Sequence, residues 1–134
     1  MIRVGPIELT AHITGGHTKG CTTWTFVVRD GGRDLHVVSA CSMTLLPGMR
    51  FVDPERYPGI RADFEHTFGV LRGLPEDIWV TSHAREFGRY RKFRERDTAK
   101  DPAAPFVDRD GYLSFIDSGE ARFRQRLAEQ QRQR

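Results

Sequence analysis

The side chains with the most chemical potential are five histidines and two cysteines in a chain of 134 residues. His17 stands in Thr14-Gly15-Gly16-His17-Thr18-Lys19-Gly20-Cys21, with glycines on both sides of one imidazole. Such a loop brings backbone close to something bound, and neutral imidazole is the commonest metal-binding side chain. A hairpin turn that happens to hold a histidine is the plainer reading of the same spacing. His83 shares the setting, since it also follows a strand-like run directly. Two histidines fall short of a catalytic zinc site, which takes about three protein ligands and an open position.

The other candidates add little. His12 and His36 fall within predicted strands and His66 within a predicted helix, where surface or packed histidines are ordinary. H-E-x-x-H and H-x-H-x-D-H are both absent, and Ser42 lacks the G-x-S-x-G elbow of a serine hydrolase. Cys21 and Cys41 form no C-x-x-C pair and allow at most one disulfide. Cys41 is expected to be a buried, inert thiol. No residue is assigned as a catalytic nucleophile or base.

These residues need a scaffold, and the pattern supplies one. Residues 7–13 alternate, with Ile7, Leu9, Ala11 and Ile13 on one face and Glu8, Thr10 and His12 on the other. Residues 22–29 are dense in Thr, Trp, Phe and Val, and Asp30-Gly31-Gly32-Arg33 turns them into a partner strand over 34–40. A long irregular connection follows. Ile60, Phe64, Phe68 and Leu71 then mark an amphipathic helix over 60–71, ended by Gly73 and Pro75. Residues 77–81 read as a short strand running into Ser82-His83. Residues 85–96 read as a charged, exposed helix with Phe87, Tyr90 and Phe93 on its inner face. A last helix runs from 109 toward the terminus, with a polar end over 125–134 that is expected to fray. The expectation is one α/β domain spanning 1–134, a single mixed sheet with helices packed on it. Its other sheet face is left for something else to cover.

Composition limits the partners. A net charge of +3 comes from arginines interleaved with acids, so no nucleic-acid footprint is expected. No apolar run approaches the ~20 residues of a membrane helix, and the first residues show no secretory h-region.

The run His12-Ile13-Thr14-Gly15-Gly16-His17-Thr18-Lys19-Gly20-Cys21-Thr22-Thr23-Trp24 resembles the T-P-G-H-T-x-G-[SC]-T-x-W segment of subclass B3 metallo-β-lactamases. Further segments resemble the same family in the same order: Cys41-Ser42-Met43-Thr44, Tyr57-Pro58-Gly59-Ile60, Asp63-Phe64-Glu65-His66, Thr81-Ser82-His83 and Pro105-Phe106-Val107-Asp108. The resemblance implies the C-terminal half of a four-layer αββα sandwich. In that family two zinc ions lie between two similar halves and a zinc-bound hydroxide attacks the β-lactam amide. His17 would then be a ligand of the first zinc and His83 of the second, with Ser42 and Thr44 beside the substrate. The family's H-x-H-x-D-H supplies the remaining ligands and lies in the preceding half. Gly15 and Ser82 stand where relatives carry proline, and Glu76 where relatives often carry a disulfide cysteine.

The chain is therefore expected to retain zinc poorly and to be inactive by itself. A hydrolase of another ester, lactone or amide, and a non-catalytic domain that binds or self-associates through its uncovered sheet face, are the alternatives. The family is secreted or periplasmic, whereas the absence of a leader points this chain to the cytoplasm, with no need of an oxidising compartment.

Overall fold

A computed structural model describes residues 1–133. Five strands form one sheet in the order β1-β2-β3-β4-β5: β1 (Ile2–Val4), β2 (Ile7–Ile13), β3 (Thr22–Asp30), β4 (Arg33–Ala40) and β5 (Ile78–Thr81). Three helices accompany it, α1 (Ile60–Gly73), α2 (Arg89–Arg96) and α3 (Arg109–Arg132), with a 3₁₀ turn at Ala104–Phe106. β1 to β4 pair antiparallel, while β4 and β5 pair parallel through α1. The sheet is thus mixed, as the pattern requires. The β3–β4 hairpin turns on Gly31 and Gly32, both at positive φ, which a two-residue turn of this hand demands.

Register separates the two sheet faces. Thr25 lies opposite Val38 and Val38 opposite Trp79, so these side chains share a face. The helices pack there: Trp79 stacks on Phe115 with centroids 5.0 Å apart, and Val38, Ala40 and Trp79 are the sheet's members of the core. α1 and α3 close that core through Phe64, Phe68 and Phe123, joined by Phe51 from the connection. Tyr112 Oη donates to the Leu71 carbonyl at 2.8 Å, tying α3 to the end of α1. Leu9, Ala11, Ile13, Trp24, Phe26, Val28, Leu35, Val37 and Val80 belong to the opposite face and none joins that core. The alternation in β2 is therefore real, but its apolar side faces away from the helices, leaving Ile13 62% exposed.

Several boundaries differ from the sequence expectation, for physical reasons. The charged segment begins as turns, because Gly88 adopts a left-handed φ of 67° and α2 starts only at Arg89. Of the three aromatics expected on its inner face, Phe87 packs on the core beside Trp79 and Phe93 sits edge-on to Phe106 at 5.4 Å, but Tyr90 does not turn inward. Tyr90 is 66% exposed, whereas Lys92 is fully buried, 2.7 Å from Asp108 Oδ2 and over the Trp79 ring. The polar tail does not fray before Arg132, since Gln130 donates to the Met49 carbonyl and accepts from the Phe51 N–H, each at 2.8 Å. The long connection is anchored by the same contacts, with Met43, Met49 and Phe51 buried. The short strand β1 has an exposed side chain at every position, which left no pattern to read.

Candidate functional site

The His17 loop is shaped by its glycines, although their close approach is to a helix. A Cβ on Gly16 would sit 2.8 Å from the Phe64 ring, and its φ of 135° already disfavours any other residue. A Cβ on Gly15 would meet the Asp63 carboxylate at 3.0 Å, and the Gly15 carbonyl accepts from Thr67 Oγ1 at 2.7 Å. The loop is thus pressed onto α1. It is closed at its base by Thr14 N–H donating to the Cys21 carbonyl at 2.8 Å, and by a 2.8 Å hydrogen bond between the Thr14 and Thr23 hydroxyls.

His17 Nδ1 lies 2.7 Å from the carbonyl oxygen of Thr44. A carbonyl only accepts, so Nδ1 carries the proton and Nε2 keeps the free lone pair. A ring fixed in this way by a backbone carbonyl is the usual orientation of a metal-ligating imidazole. Thr44 therefore touches the candidate site through its main chain. Its own N–H donates to Ser42 Oγ at 3.1 Å, which still leaves the buried Ser42 hydroxyl one proton to donate.

Cys21 and Cys41 are joined in a disulfide, their Cα atoms 5.9 Å apart. This corrects the expectation of a buried, inert Cys41 thiol. The hairpin register carried the signal: Arg29 pairs with Asp34 and Asp30 with Arg33. Continued outward, that register sets Cys41 opposite Thr22, next to Cys21. The bridge ties the His17 loop to the segment bearing Ser42 and Thr44.

β5 supplies the second histidine. Its parallel register sets Thr81 beside Ala40, so Ser82-His83 and Cys41-Ser42 leave the sheet at the same end. His17, Ser42, His83 and both cysteines consequently line one open cleft of ≈ 560 Å³. His83 is more than half exposed, and its Nδ1 lies 3.7 Å from Glu86 Oε2. Sequence reasoning missed Glu86, although it sits one turn beyond the histidine and also accepts from Thr81 Oγ1 at 3.4 Å. Thr44 is not in this lining; it borders a neighbouring cleft with Arg122 and Arg126.

The remaining histidines lie elsewhere. His12 Nε2 is 2.8 Å from Thr25 Oγ1, His66 is exposed on α1, and the His36 backbone N–H donates to Asp77 at 2.8 Å. Asp77 is held below the usual carboxylate range by that backbone donor, against a smaller opposing effect of burial. Among the described residues, no three His, Cys, Asp or Glu side chains come together as a metal-holding group. Nor is any described helix long and apolar enough to cross a membrane.

No protein-family profile matches the chain. Solved structures do. The native metallo-β-lactamase FEZ-1 from Legionella gormanii is similar over 97% of this chain, at 35% identity and a TM-score of 0.90. BJP-1, a subclass B3 metallo-β-lactamase of Bradyrhizobium japonicum, matches 97% at 33% identity and a TM-score of 0.84. The class B3 di-zinc metallo-β-lactamase LRA-12, from an Alaskan soil metagenome, matches 94% at 30% identity and a TM-score of 0.82. The chain covers 49%, 48% and 47% of these structures respectively, so it spans about half the length of each. Its fold is that of half a subclass B3 metallo-β-lactamase.

Proposed function

We propose that this half of a metallo-β-lactamase fold contributes one side of the active site of a zinc-dependent β-lactam hydrolase. His17 and His83 would each ligate one ion, with Ser42 and Thr44 beside the substrate. The observation that carries the reading is the His17–Thr44 hydrogen bond, which leaves Nε2 free on a histidine lining the same cleft as His83 and Ser42. One of the similar structures is a di-zinc enzyme by its own description, which supports the choice of metal.

The residues present do not make a complete metal site. Zinc needs about three protein ligands, and no such group exists among the described residues. The remaining ligands would come from a second segment packed against this one, and the chain alone is expected neither to retain zinc nor to turn over substrate. Its own contribution is positional. Thr44 fixes the His17 tautomer, Ser42 offers a hydroxyl proton to a substrate oxygen, and the disulfide holds both on one rigid unit. That disulfide also favours an oxidising compartment over the cytoplasm.

The test is a chimera in which this chain follows the first half of the Legionella gormanii enzyme, assayed with zinc and a chromogenic cephalosporin. Hydrolysis that is lost in His17→Ala and His83→Ala, together with one zinc equivalent in each, is the expected result. A folded chimera that holds two zinc ions without hydrolysing any β-lactam would overturn the substrate assignment.

A further inference from the structure

We propose a second site on this chain, separate from the histidine cleft: an oxyanion-binding groove for phosphate or a phosphomonoester between the turn at residues 85–88 and α3. The groove has a volume of ≈ 410 Å³ and is lined by Arg85 on one wall and by Ser114, Ser118 and Arg122 on the other, over a floor of Trp79 and Phe115.

Three observations point to an anion. First, nine of the eighteen arginines meet carboxylates, among them Arg91 at the rim of this groove, which is held by Glu95. Arg85 and Arg122 meet none among the described residues, yet they converge on one groove. Second, the two carboxylates bordering the groove are already committed. Asp108 is bound to Lys92 Nζ at 2.7 Å and accepts from the Gly111 N–H at 3.0 Å, while Glu86 faces Thr81 and His83. The positive charge of the groove is therefore unspent. Third, Ser114, Ser118 and Arg122 are spaced at i, i+4 and i+8 along α3 and form one row of donors about 12 Å long. One guanidinium on each wall, with a row of hydroxyls beside Arg122, suits a tetrahedral dianion, which accepts bidentate hydrogen bonds from arginine.

Trp79 is a native reporter, because its indole lies under the groove. Titrating the whole chain with inorganic phosphate, while following the indole Nε1–H signal of Trp79 by NMR, should give a saturable shift in the millimolar range or tighter. Sodium chloride at matched ionic strength should give none, since screening alone does not saturate. Arg85→Gln with Arg122→Gln should weaken binding at least tenfold with the rest of the spectrum unchanged. Ser118→Ala, which alters no charge, should weaken it severalfold. No saturable shift in phosphate, an equal shift in chloride, or full binding by the double variant would each overturn the proposal. Phenyl phosphate separates the two sources: tighter binding than inorganic phosphate assigns the groove to a monoester, and equal binding to free phosphate.

Discussion

Nδ1 of His17 and the carbonyl oxygen of Thr44 are 2.7 Å apart, joining two loops that the sequence separates by 27 positions. The bond makes a prediction about the proton. Nitrogen-15 shifts of neutral His17 should show the Nδ1–H tautomer dominant, with Nε2 as the unprotonated nitrogen. Zinc added to the chain should perturb Nε2 first and bind weakly, because two ligands fewer than a closed site remain. A dominant Nε2–H form would remove the basis for calling His17 a prepared ligand.

The Cys21–Cys41 bridge closes a separation of 20 residues that contains the whole β3–β4 hairpin. A loop of that size is stabilised by about 3 kcal/mol through the entropy it removes from the unfolded chain. Cys41→Ser, or reduction, should lower the unfolding free energy by about that amount and speed amide exchange in the His17 loop. Alkylation of either thiol in the unreduced protein would count against the pairing.

How much of this was legible follows from where each signal lives. Alternation and turn chemistry are local, so β2, the Gly31-Gly32 hairpin and the first helix could be read directly, and the spacing of glycines around His17 marked the loop. What those glycines approach is a tertiary fact: the Phe64 ring and the Asp63 carboxylate become neighbours only after α1 packs. Lys92 was invisible for a similar reason. Its burial depends on Asp108 arriving from another element, while the apolar spacing nominated Tyr90 and Phe93 instead. Glu86 and the disulfide were within reach, one through its i,i+3 spacing from His83 and the other through strand register.

The buried Lys92–Asp108 pair should behave as an uncompensated charge when cut. Burial pushes the Asp108 carboxyl up, but hydrogen bonds from Lys92 and the Gly111 N–H outweigh it and hold the group below its usual value. A depressed pKa contributes stability above the unfolded value that is lost as pH falls through the folded one. Asp108→Asn should therefore cost about 3–5 kcal/mol at neutral pH, because it strands a fully buried ammonium. Lys92→Met added to that variant should restore much of the loss. Urea unfolding of the single and double variants checks both figures.

Glu76 should act in the opposite sense. Its side chain is fully buried, and that desolvation raises its pKa more than Arg109, 3.5 Å away, lowers it. A carboxyl with a raised folded pKa binds its proton more tightly in the native state, so stability falls as pH rises from the unfolded value of 4.5 to the folded one. The slope in that window is at most about 1.4 kcal/mol per pH unit. Glu76→Gln should flatten that part of the urea midpoint against pH profile. A difference curve without pH dependence between wild type and variant would show that Arg109 compensates the burial completely.

The sheet face opposite the helices gives the last prediction. Register places Leu9, Ala11, Ile13, Trp24 and Phe26 there without a charged residue among them; Ile2, Val4 and Ile13 are more than half exposed, while Leu35 and Val37 are already buried. The exposed apolar patch on β1 and β2 is of the kind that marks an interaction surface. In the chain by itself a second copy is the available cover, and sedimentation velocity should show association that rises with concentration. Ile13→Lys with Val4→Lys, both exposed and so tolerated by the fold, should weaken that association at least tenfold, about 1.4 kcal/mol. Fusion to a complementary half should abolish it in the wild-type chain, since the same face is then occupied from within. A wild-type chain that stays monomeric at ~100 μM would mean that the strands shield their own apolar side, and that the face is not held ready for a partner.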